Sequence, residues 1–347
     1  RRERGAWTML PYARVLGDSQ LVTRDGALVQ TLHIAGFPFE TADTDELNYR
    51  KAVRDTLLRG VASPRLSIYH HVVRREVDPV VAGAFATPFA RGLDSAWRKR
   101  LGARRLFVND LFLTLVRRPT LTEAGPLADL FGRPKDADVA NRARDRRDLE
   151  AARDSLLAAL QPYGARVLSL YEADGKTYSE PLEFLACLFN GEMRPVLPEH
   201  STIARDIPWR RVSFGEDTLE LSAAHGSERL FAAMLSIKEY PAHTSPGQLD
   251  ALYRIPHELT VTHSFSYVDR QTALSRMNLT LRRMRAADDE AISLRRDLTA
   301  AKDDVAAGRS AFGEHHMTVA VKADSMEGLD EAVAEVQAAL AEVGVLG

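Results

Sequence analysis

The hydrophobic and polar positions of the chain follow two periods, one typical of strands and one of helices. Apolar runs on both sides of Arg24-Asp25-Gly26 predict a tight β-hairpin over Gln20–Ile34, because Asp-Gly favours positive φ angles. Period-two or continuous apolar segments predict further strands at Arg65–Val73, Asp110–Arg117, Ala165–Tyr171, Glu258–Val268 and His316–Lys322, and a hairpin-like pair at Val212–Leu221 and Leu230–Tyr240.

Helical periods fall between these strands. They predict helices at Asp43–Arg59, Phe85–Leu101, Asp136–Leu160, Pro181–Phe189, Pro246–Tyr253 and Met326–Val343. Ser179 is placed to cap the helix that begins at Pro181, because its hydroxyl can accept from a free backbone N–H of the first turn.

A heptad repeat marks Arg270–Val305, where apolar residues recur every seven positions from Met277 to Val305. The accompanying apolar positions change sides near Ala287-Asp288-Asp289-Glu290, which favours a bend or a helical hairpin over one straight rod. We expect this segment either to pack on its own sheet or to act as an arm that binds a partner or a second copy.

The order of elements predicts an α+β fold of two α/β halves with mixed or antiparallel sheets flanked by helices, plus a long helical segment at about residues 270–307. The best internal boundary is the Gly191–Pro208 segment with its three prolines, Pro195, Pro198 and Pro208. We therefore expect a first half at 1–195 for docking and assembly, and a second half at 196–347 that carries the helical arm.

Composition narrows the functional classes only slightly. The 347 residues are 45% hydrophobic with a net charge of −2, which is typical of a globular protein and gives no general reason to expect nucleic acid or an anionic membrane as the main partner. The single Cys187 lies in an apolar run, so we expect a buried thiol and a reducing compartment. Pro79–Ala90 is the nearest approach to a membrane span and is too short, so membrane association is expected through a partner.

Three motifs suggest chemistry, but each lacks a required residue. Asp174-Gly175-Lys176-Thr177 ends like a phosphate loop, yet Leu170 stands where the motif needs its first glycine, so an ordinary turn is expected. His257-Glu258 begins like a zinc-protease motif, but Val261 replaces the second ligand. His315 and His316 are adjacent on a strand and should face opposite ways, which suits a structural role better than a shared metal. No catalytic, cofactor-binding or metal-binding residue is predicted.

Several segments together resemble one family. They are Val108–Thr114 with Arg117-Arg118-Pro119, Glu180–Leu185 with Asn190-Gly191-Glu192, Thr262–Ser266, and Gly313–His316. In order and spacing they resemble the N-terminal domain of the CagE/TrbE/VirB family, the large ATPases of type IV secretion and conjugation machines. The likeness runs from about Leu10 to the last residue.

The resemblance implies a domain that docks and oligomerises, followed in the family by a RecA-like motor that binds ATP and Mg²⁺. The chain begins with Arg1 and stops before that motor, so we expect a trimmed sequence that lacks the ATP-hydrolysing site. The implied machine is a hexamer on the cytoplasmic face of a bacterial inner membrane that powers pilus assembly and the export of DNA or protein. The implied partners are further copies, inner-membrane subunits including a small membrane subunit, and other secretion ATPases.

Two alternatives from other classes stay open. The stretch from Arg91 to Arg147 is richer in basic than in acidic residues and favours a nucleic-acid-binding module, with Arg142, Arg144, Arg146 and Arg147 as its candidate contacts. A metal-dependent hydrolase centred on His315 and His316 would instead carry stoichiometric zinc.

Overall fold

The computed structural model describes residues 5–37, 42–78, 83–102, 105–120, 135–223, 228–241, 244–286 and 292–346. Its α-helices in these ranges are α1 (Thr44–Gly60), α2 (Pro88–Leu101), α3 (Lys135–Leu160), α4 (Glu180–Asn190), α5 (Arg270–Ala286), α6 (Ile292–Ala306) and α7 (Met326–Glu342). Its strands are β1 (Tyr12–Leu16), β2 (Gln20–Thr23), β3 (Leu28–Ile34), β4 (Leu66–Val77), β5 (Leu106–Arg117), β6 (Ala165–Val167), β7 (Leu170–Ala173), β8 (Lys176–Ser179), β9 (Arg210–Phe214), β10 (Leu219–Ala223), β11 (Arg229–Ser236), β12 (Glu258–Tyr267) and β13 (Gly313–Ala323).

Eleven of these strands form one antiparallel sheet. Its order is β1-β2-β3-β5-β4-β12-β13-β11-β10-β9, and β6 pairs with the end of β3 that β2 leaves free. β7 and β8 form a separate hairpin. The predicted α+β class is confirmed, with helices flanking an antiparallel sheet.

The central pair of the sheet joins the two parts of the sequence. β4 pairs with β12 over eight residues of each strand, from Arg74 opposite Leu259 to Ser67 opposite Ser266. We call this pair the central seam. Strands from both sides of the predicted boundary at 195/196 thus share one sheet, and the division into two domains stays a prediction.

Helices cover both faces of the sheet. On one face, α1 and α3 pack over β3, β4 and β5, with Leu149 and Leu156 of α3 fully buried against Leu115 and its neighbours. Farther along the same face, α7 packs over β12, β13 and β11 through Leu329 and Val336. The opposite face is covered by α4, whose Phe184 is buried against Phe112 of β5 and other apolar side chains.

The heptad segment folds back on itself as a helical hairpin. Val305 near the end of α6 is buried with Ala273 and Met277 of α5, and Lys302 donates to Asn278 at 3.3 Å. These contacts confirm the hairpin alternative, because a single rod would hold α5 and α6 apart. The bend predicted at Ala287–Glu290 lies outside the described residues.

Local turn and cap chemistry follows the sequence in several places. Gly26, at φ 87°, turns the chain between β2 and β3 as predicted. The Ser179 hydroxyl accepts from the backbone N–H of Leu182, which confirms the cap of α4. Gly191 follows α4 in the left-handed conformation and ends the helix.

Three local expectations were wrong. Pro246–Tyr253 is not a helix but a series of turns that ends in a 3₁₀ turn at Leu252–Arg254, because Gly247 adopts a left-handed φ of 79° that interrupts a helix. The single strand predicted at Ala165–Tyr171 is split, since β6 pairs with β3 and β7 pairs with β8. Val212–Leu221 is itself a hairpin, formed by β9 and β10, and β11 is the third strand beside it.

Candidate functional site and interaction surfaces

The Gly-Lys-Thr sequence closes a small hairpin. Asp174 and Gly175 both have positive φ angles, 51° and 70°, and connect β7 to β8. The Thr177 hydroxyl donates to the Glu172 carboxylate across this hairpin, and Lys176 is exposed. A phosphate loop needs backbone N–H groups that converge on an anion, whereas here a carboxylate occupies the approach. The predicted ordinary turn is confirmed.

Three histidines lie together on the sheet face that also carries α7. His70 of β4 is directly opposite His263 of β12, with ring centroids 5.9 Å apart. His263 in turn stacks on His315 of β13, where Nδ1 of His263 and Nε2 of His315 are 3.2 Å apart. Tyr253 adds a contact of 3.5 Å between its hydroxyl and Nε2 of His263. In the hydrogen bond between His263 and His315, one imidazole must donate and the other must accept. At most one of these two rings therefore carries a charge.

Desolvation favours the neutral form of these rings. Desolvation lowers the pKa of His263 to about 4, and the neighbouring His70 and His315 add repulsion in the same direction. Desolvation also lowers the pKa of His70 and of His315. On the opposite face of the sheet, burial beside Phe184 lowers the pKa of His71 to about 3. The cluster is therefore a set of neutral packing and hydrogen-bonding groups near neutral pH.

His315 and His316 point to opposite faces, as predicted. His315 contacts His263 and the ring of Tyr240, whereas Nε2 of His316 lies 3.0 Å from the Ser236 hydroxyl. Within the described part of the chain, no group of three or more His, Cys, Asp or Glu side chains has the arrangement of a metal site. The zinc-hydrolase alternative thus finds no donor set among these residues.

The remaining candidate groups have structural surroundings. Cys187 is buried on α4, and desolvation raises the pKa of its thiol to about 11, which suits a packing residue rather than a nucleophile. His257 lies 3.4 Å from the Glu335 carboxylate, and Glu258 begins β12 and pairs with Lys322. The expectation that this segment forms a strand rather than a zinc-protease helix is confirmed.

A different surface has the features of a contact site. β9 is the last strand at its end of the sheet, and among the described strands it pairs only with β10. On one face of this end, Phe214 and Met234 are 71% and 58% exposed, and half-buried Leu219 lies opposite Phe214. We call Phe214, Leu219 and Met234 the β9 patch. Exposed apolar side chains beside an open strand edge are typical of protein contact sites.

Comparison with known proteins matches this chain to one family over most of its length. Residues 166–347 match the family model described as CagE, TrbE, VirB family, component of type IV transporter system. Residues 20–125 match the model of the type IV secretion system ATPase VirB4/TrbE, N-terminal domain. The chain belongs to the CagE, TrbE, VirB family.

Curated relatives agree with this family. The type IV secretion system protein virB4 of Bartonella henselae is 33% identical over 340 residues, which are 97% of this chain and 43% of the relative. The protein virB4 of Agrobacterium fabrum is 30% identical over 99% of this chain and 43% of its own length. That of Brucella suis is 28% identical over 94% of this chain and 40% of its own length. The chain spans less than half the length of these relatives.

The segments that carried the resemblance lie in strands and in one helix of this VirB4-type region. Val108–Thr114 lies in β5, Thr262–Ser266 in the central seam, Gly313–His316 in β13, and Glu180–Leu185 in α4. They specify the sheet and its cover. Among the described residues, no helix of this VirB4-type region is long and apolar enough to cross a membrane.

Sequence reasoning did not identify the β9 patch of this VirB4-type region. Phe214 and Met234 lie in strands with ordinary alternation, and an apolar side chain on a strand is normally expected to be inside. Only the position of β9 at the end of the sheet shows that no described element covers this face. The order of strands in a sheet cannot be obtained from the local pattern of apolar and polar residues.

Proposed function

We propose that this chain is the docking and self-assembly region of a type IV secretion ATPase that energises pilus assembly and the export of DNA or protein. The β9 patch carries the self-assembly part of the proposal, because it places exposed apolar side chains beside an open strand edge. Family membership supports a machine of several subunits. Its partners would be further copies in a hexamer, inner-membrane subunits including a small membrane subunit, and other secretion ATPases at the cytoplasmic face of the inner membrane.

The β9 patch suits contact with a second copy of the chain. A ring of identical subunits requires one surface to meet a different surface on the neighbour, and a sheet edge with an adjoining apolar face supplies both hydrogen-bonding groups and apolar area. Burying Phe214 and Met234 removes apolar surface from water at each contact, which favours association.

Replacing Phe214 and Met234 together by serine tests this surface. The 347-residue chain should associate with increasing concentration in sedimentation velocity, and the double variant should weaken that association by about tenfold or more. The matched control replaces Tyr49 and Val139, which are exposed on α1 and α3, by serine. The proposed surface is wrong if the chain stays monomeric at all concentrations or if both double variants weaken association equally.

We further propose that the ATP-hydrolysing site, with its ATP and Mg²⁺, belongs to sequence outside this chain. The closed hairpin at Gly175-Lys176-Thr177 supports this, since it leaves no anion cradle there. The purified chain should then show no ATP turnover, and Lys176→Ala should bind a fluorescent ATP analogue no differently from the unaltered chain. Turnover that disappears in Lys176→Ala would overturn the proposal.

The nucleic-acid alternative stays a prediction. Arg142, Arg144, Arg146 and Arg147 are exposed on α3, which keeps them accessible, but Arg146 pairs with Glu150. α3 has six basic and six acidic residues, so it presents no net positive charge to a phosphate backbone. Salt-dependent binding of single-stranded DNA, lost when the four arginines are replaced by glutamine, would establish it.

A further inference from the structure

Helix α2 exposes its apolar side. Phe89, Leu93 and Trp97 follow one another at intervals of four residues and therefore lie on one side of the helix. They are 80%, 63% and 58% exposed, and no residue of α2 is buried. We call these three residues the α2 stripe. A helix of a globular protein normally packs such a stripe against the core. No described residue buries this stripe, so it is available to a partner.

A different side of α2 is partly shielded from solvent. Its half-buried residues include Ala90, Asp94 and Arg98, and the Arg98 guanidinium pairs with the Asp94 carboxylate. On a projection with 3.6 residues per turn, these positions lie beside the stripe rather than within it. The ion pair and the apolar stripe thus occupy different sides of α2.

The rest of α2 is basic. Its fourteen residues include Arg91, Arg98, Lys99 and Arg100 against Asp94, an excess of three positive charges. Arg91, Lys99 and Arg100 are exposed and make no ion pair with another described residue. Arg100 lies in line with the stripe in the last turn, Lys99 lies beside the stripe, and Arg91 lies on the polar side. The helix thus combines an apolar side with exposed basic residues that have no ion-pair partner among the described residues.

Local sequence features favour this helix. The Thr87 hydroxyl accepts from the backbone N–H of Ala90, and Pro88 occupies the first turn, where its missing N–H costs nothing. Basic residues in the last turn interact favourably with the helix dipole. These features support α2 although none of its residues is buried.

We propose that α2 lies in the headgroup layer of an anionic phospholipid membrane, with the α2 stripe inserted among the acyl chains. Phenylalanine, leucine and tryptophan lose apolar surface to the lipid, while arginine and lysine extend their charged ends to the lipid phosphates. An anionic surface attracts each basic residue within a Debye length of it. The chain then contacts the membrane through its own helix, in addition to any contact through partner subunits.

Charge complementarity and the width of the apolar side favour lipid over the other occupants. A nucleic acid would neutralise the arginines and the lysine and would stack bases on Phe89 and Trp97, but it would leave the aliphatic Leu93 in water, whereas acyl chains cover all three residues. A second copy that met α2 with its own α2 would bury the stripe but would bring two helices of like charge together. An anionic bilayer satisfies both sides of the helix at once.

Vesicle flotation of the 347-residue chain tests this inference. We expect binding to vesicles of phosphatidylcholine with phosphatidylglycerol and weak binding to phosphatidylcholine alone. Replacing Phe89, Leu93 and Trp97 by serine should reduce binding by about tenfold or more, and replacing Arg91, Lys99 and Arg100 by glutamine should do the same at low salt. The tryptophan emission should shift to shorter wavelength on binding, and Trp97→Phe should remove that shift while it keeps vesicle binding.

Two matched controls distinguish binding through this site from nonspecific adsorption to vesicles. Val139, Ile292 and Leu294 are 64%, 65% and 59% exposed on α3 and α6, and their replacement by serine should leave flotation unchanged. Replacing Arg142, Arg144 and Arg147 by glutamine should also leave it unchanged. Circular dichroism should show that all variants retain the helix and strand content of the unaltered chain.

The remaining outcomes overturn the inference. Flotation that is absent, that does not depend on phosphatidylglycerol, or that falls equally in stripe and control variants removes the membrane site. A stripe variant that floats normally but loses self-association or single-stranded DNA binding assigns α2 to a protein or a nucleic-acid contact instead. The β9 patch variant with Phe214→Ser and Met234→Ser should float normally, so this result is independent of the proposed self-assembly.

Discussion

His71 connects the central seam to the core on the α4 side of the sheet. Nδ1 of its imidazole lies 3.0 Å from the Thr262 hydroxyl, and its ring packs edge-on against Phe184. Burial first, and then the neighbouring His70 and His263, lower the pKa of this ring from 6.5 to about 3. The native chain therefore holds His71 neutral at pH values where the unfolded chain protonates it.

This difference predicts a loss of stability in mild acid. The unfolded state binds the additional proton below the ordinary pKa, so the free energy of unfolding is fully retained above that value and falls as the pH decreases toward the folded pKa. Between about pH 7 and about pH 5, His71 alone should lower the free energy of unfolding by about 2 kcal/mol. Urea denaturation at the two pH values measures this change.

His71→Asn should be less stable at neutral pH but should lose less stability on acidification, because the titrating group is gone. His316→Asn is the matched control, since His316 is exposed and is not held by the core. An undiminished pH dependence in His71→Asn would show that other groups cause it. The position of His71 among neutral partners was not predictable from the sequence, since its hydrogen-bond partner lies 191 residues away.

At the scale of elements, a buried ion pair positions α3 on the sheet. The Asp145 carboxylate accepts from the backbone N–H and the hydroxyl of Thr120 and from Nε of Arg117, at 2.6, 2.7 and 3.2 Å. The side chains of Arg117 and Asp145 are 9% and 5% exposed. Removing the charge of Asp145 leaves the buried Arg117 guanidinium with only the half-exposed Asp148 as a charged partner, and breaking one side of an interior ion pair is the costly case.

Asp145→Asn should therefore lower the free energy of unfolding by about 3 kcal/mol. Asp148 also pairs with Arg117, but its side chain is 47% exposed, so Asp148→Asn should lower it by less than about 1 kcal/mol. Chemical denaturation of both variants at neutral pH gives the comparison. Equal losses would mean that burial does not decide the strength of this pair.

Local signals predicted those elements whose shape depends on nearby residues. Asp25-Gly26 predicted the β2–β3 hairpin, Ser179 predicted the start of α4, and the heptad pattern predicted helices with either a bend or a hairpin within Arg270–Val305. The helix expected at Pro246–Tyr253 failed because the conformation of Gly247 outweighed the pattern. The sequence did not show that the apolar sides of α2 and β9 are exposed. Periodicity shows which side is apolar but not whether another element covers it.

At the scale of the whole molecule, the central seam should make unfolding cooperative across the described sheet. Val261 of β12 is completely buried beside Val72 of β4, at the place where the early and the late strands meet. Val261→Ala should lower the free energy of unfolding by about 2 kcal/mol through the lost methyl groups and the cavity left behind. Hydrogen exchange should then show weakened protection in both β3 and β11.

Val305→Ala is the matched control for this prediction. Val305 is only 5% exposed, but it belongs to the small cluster between α5 and α6 rather than to the sheet. Its loss should increase exchange chiefly in the helical hairpin. If Val261→Ala increases exchange only on the β12 side, the two parts unfold separately and the proposed domain division at 195/196 gains support.

The central seam also has a consequence during synthesis. β4 leaves the ribosome long before its neighbour, since Thr262 follows His71 by 191 residues. At ordinary rates of translation this interval lasts roughly 10 to 40 s. During this interval β4, a long strand that contains Val and Ile, has no partner on the edge that later pairs with β12. An unpaired strand edge promotes pairing with another chain. Nascent chains on the same polysome are close together. They would therefore depend on chaperones to prevent such pairing until β12 has emerged.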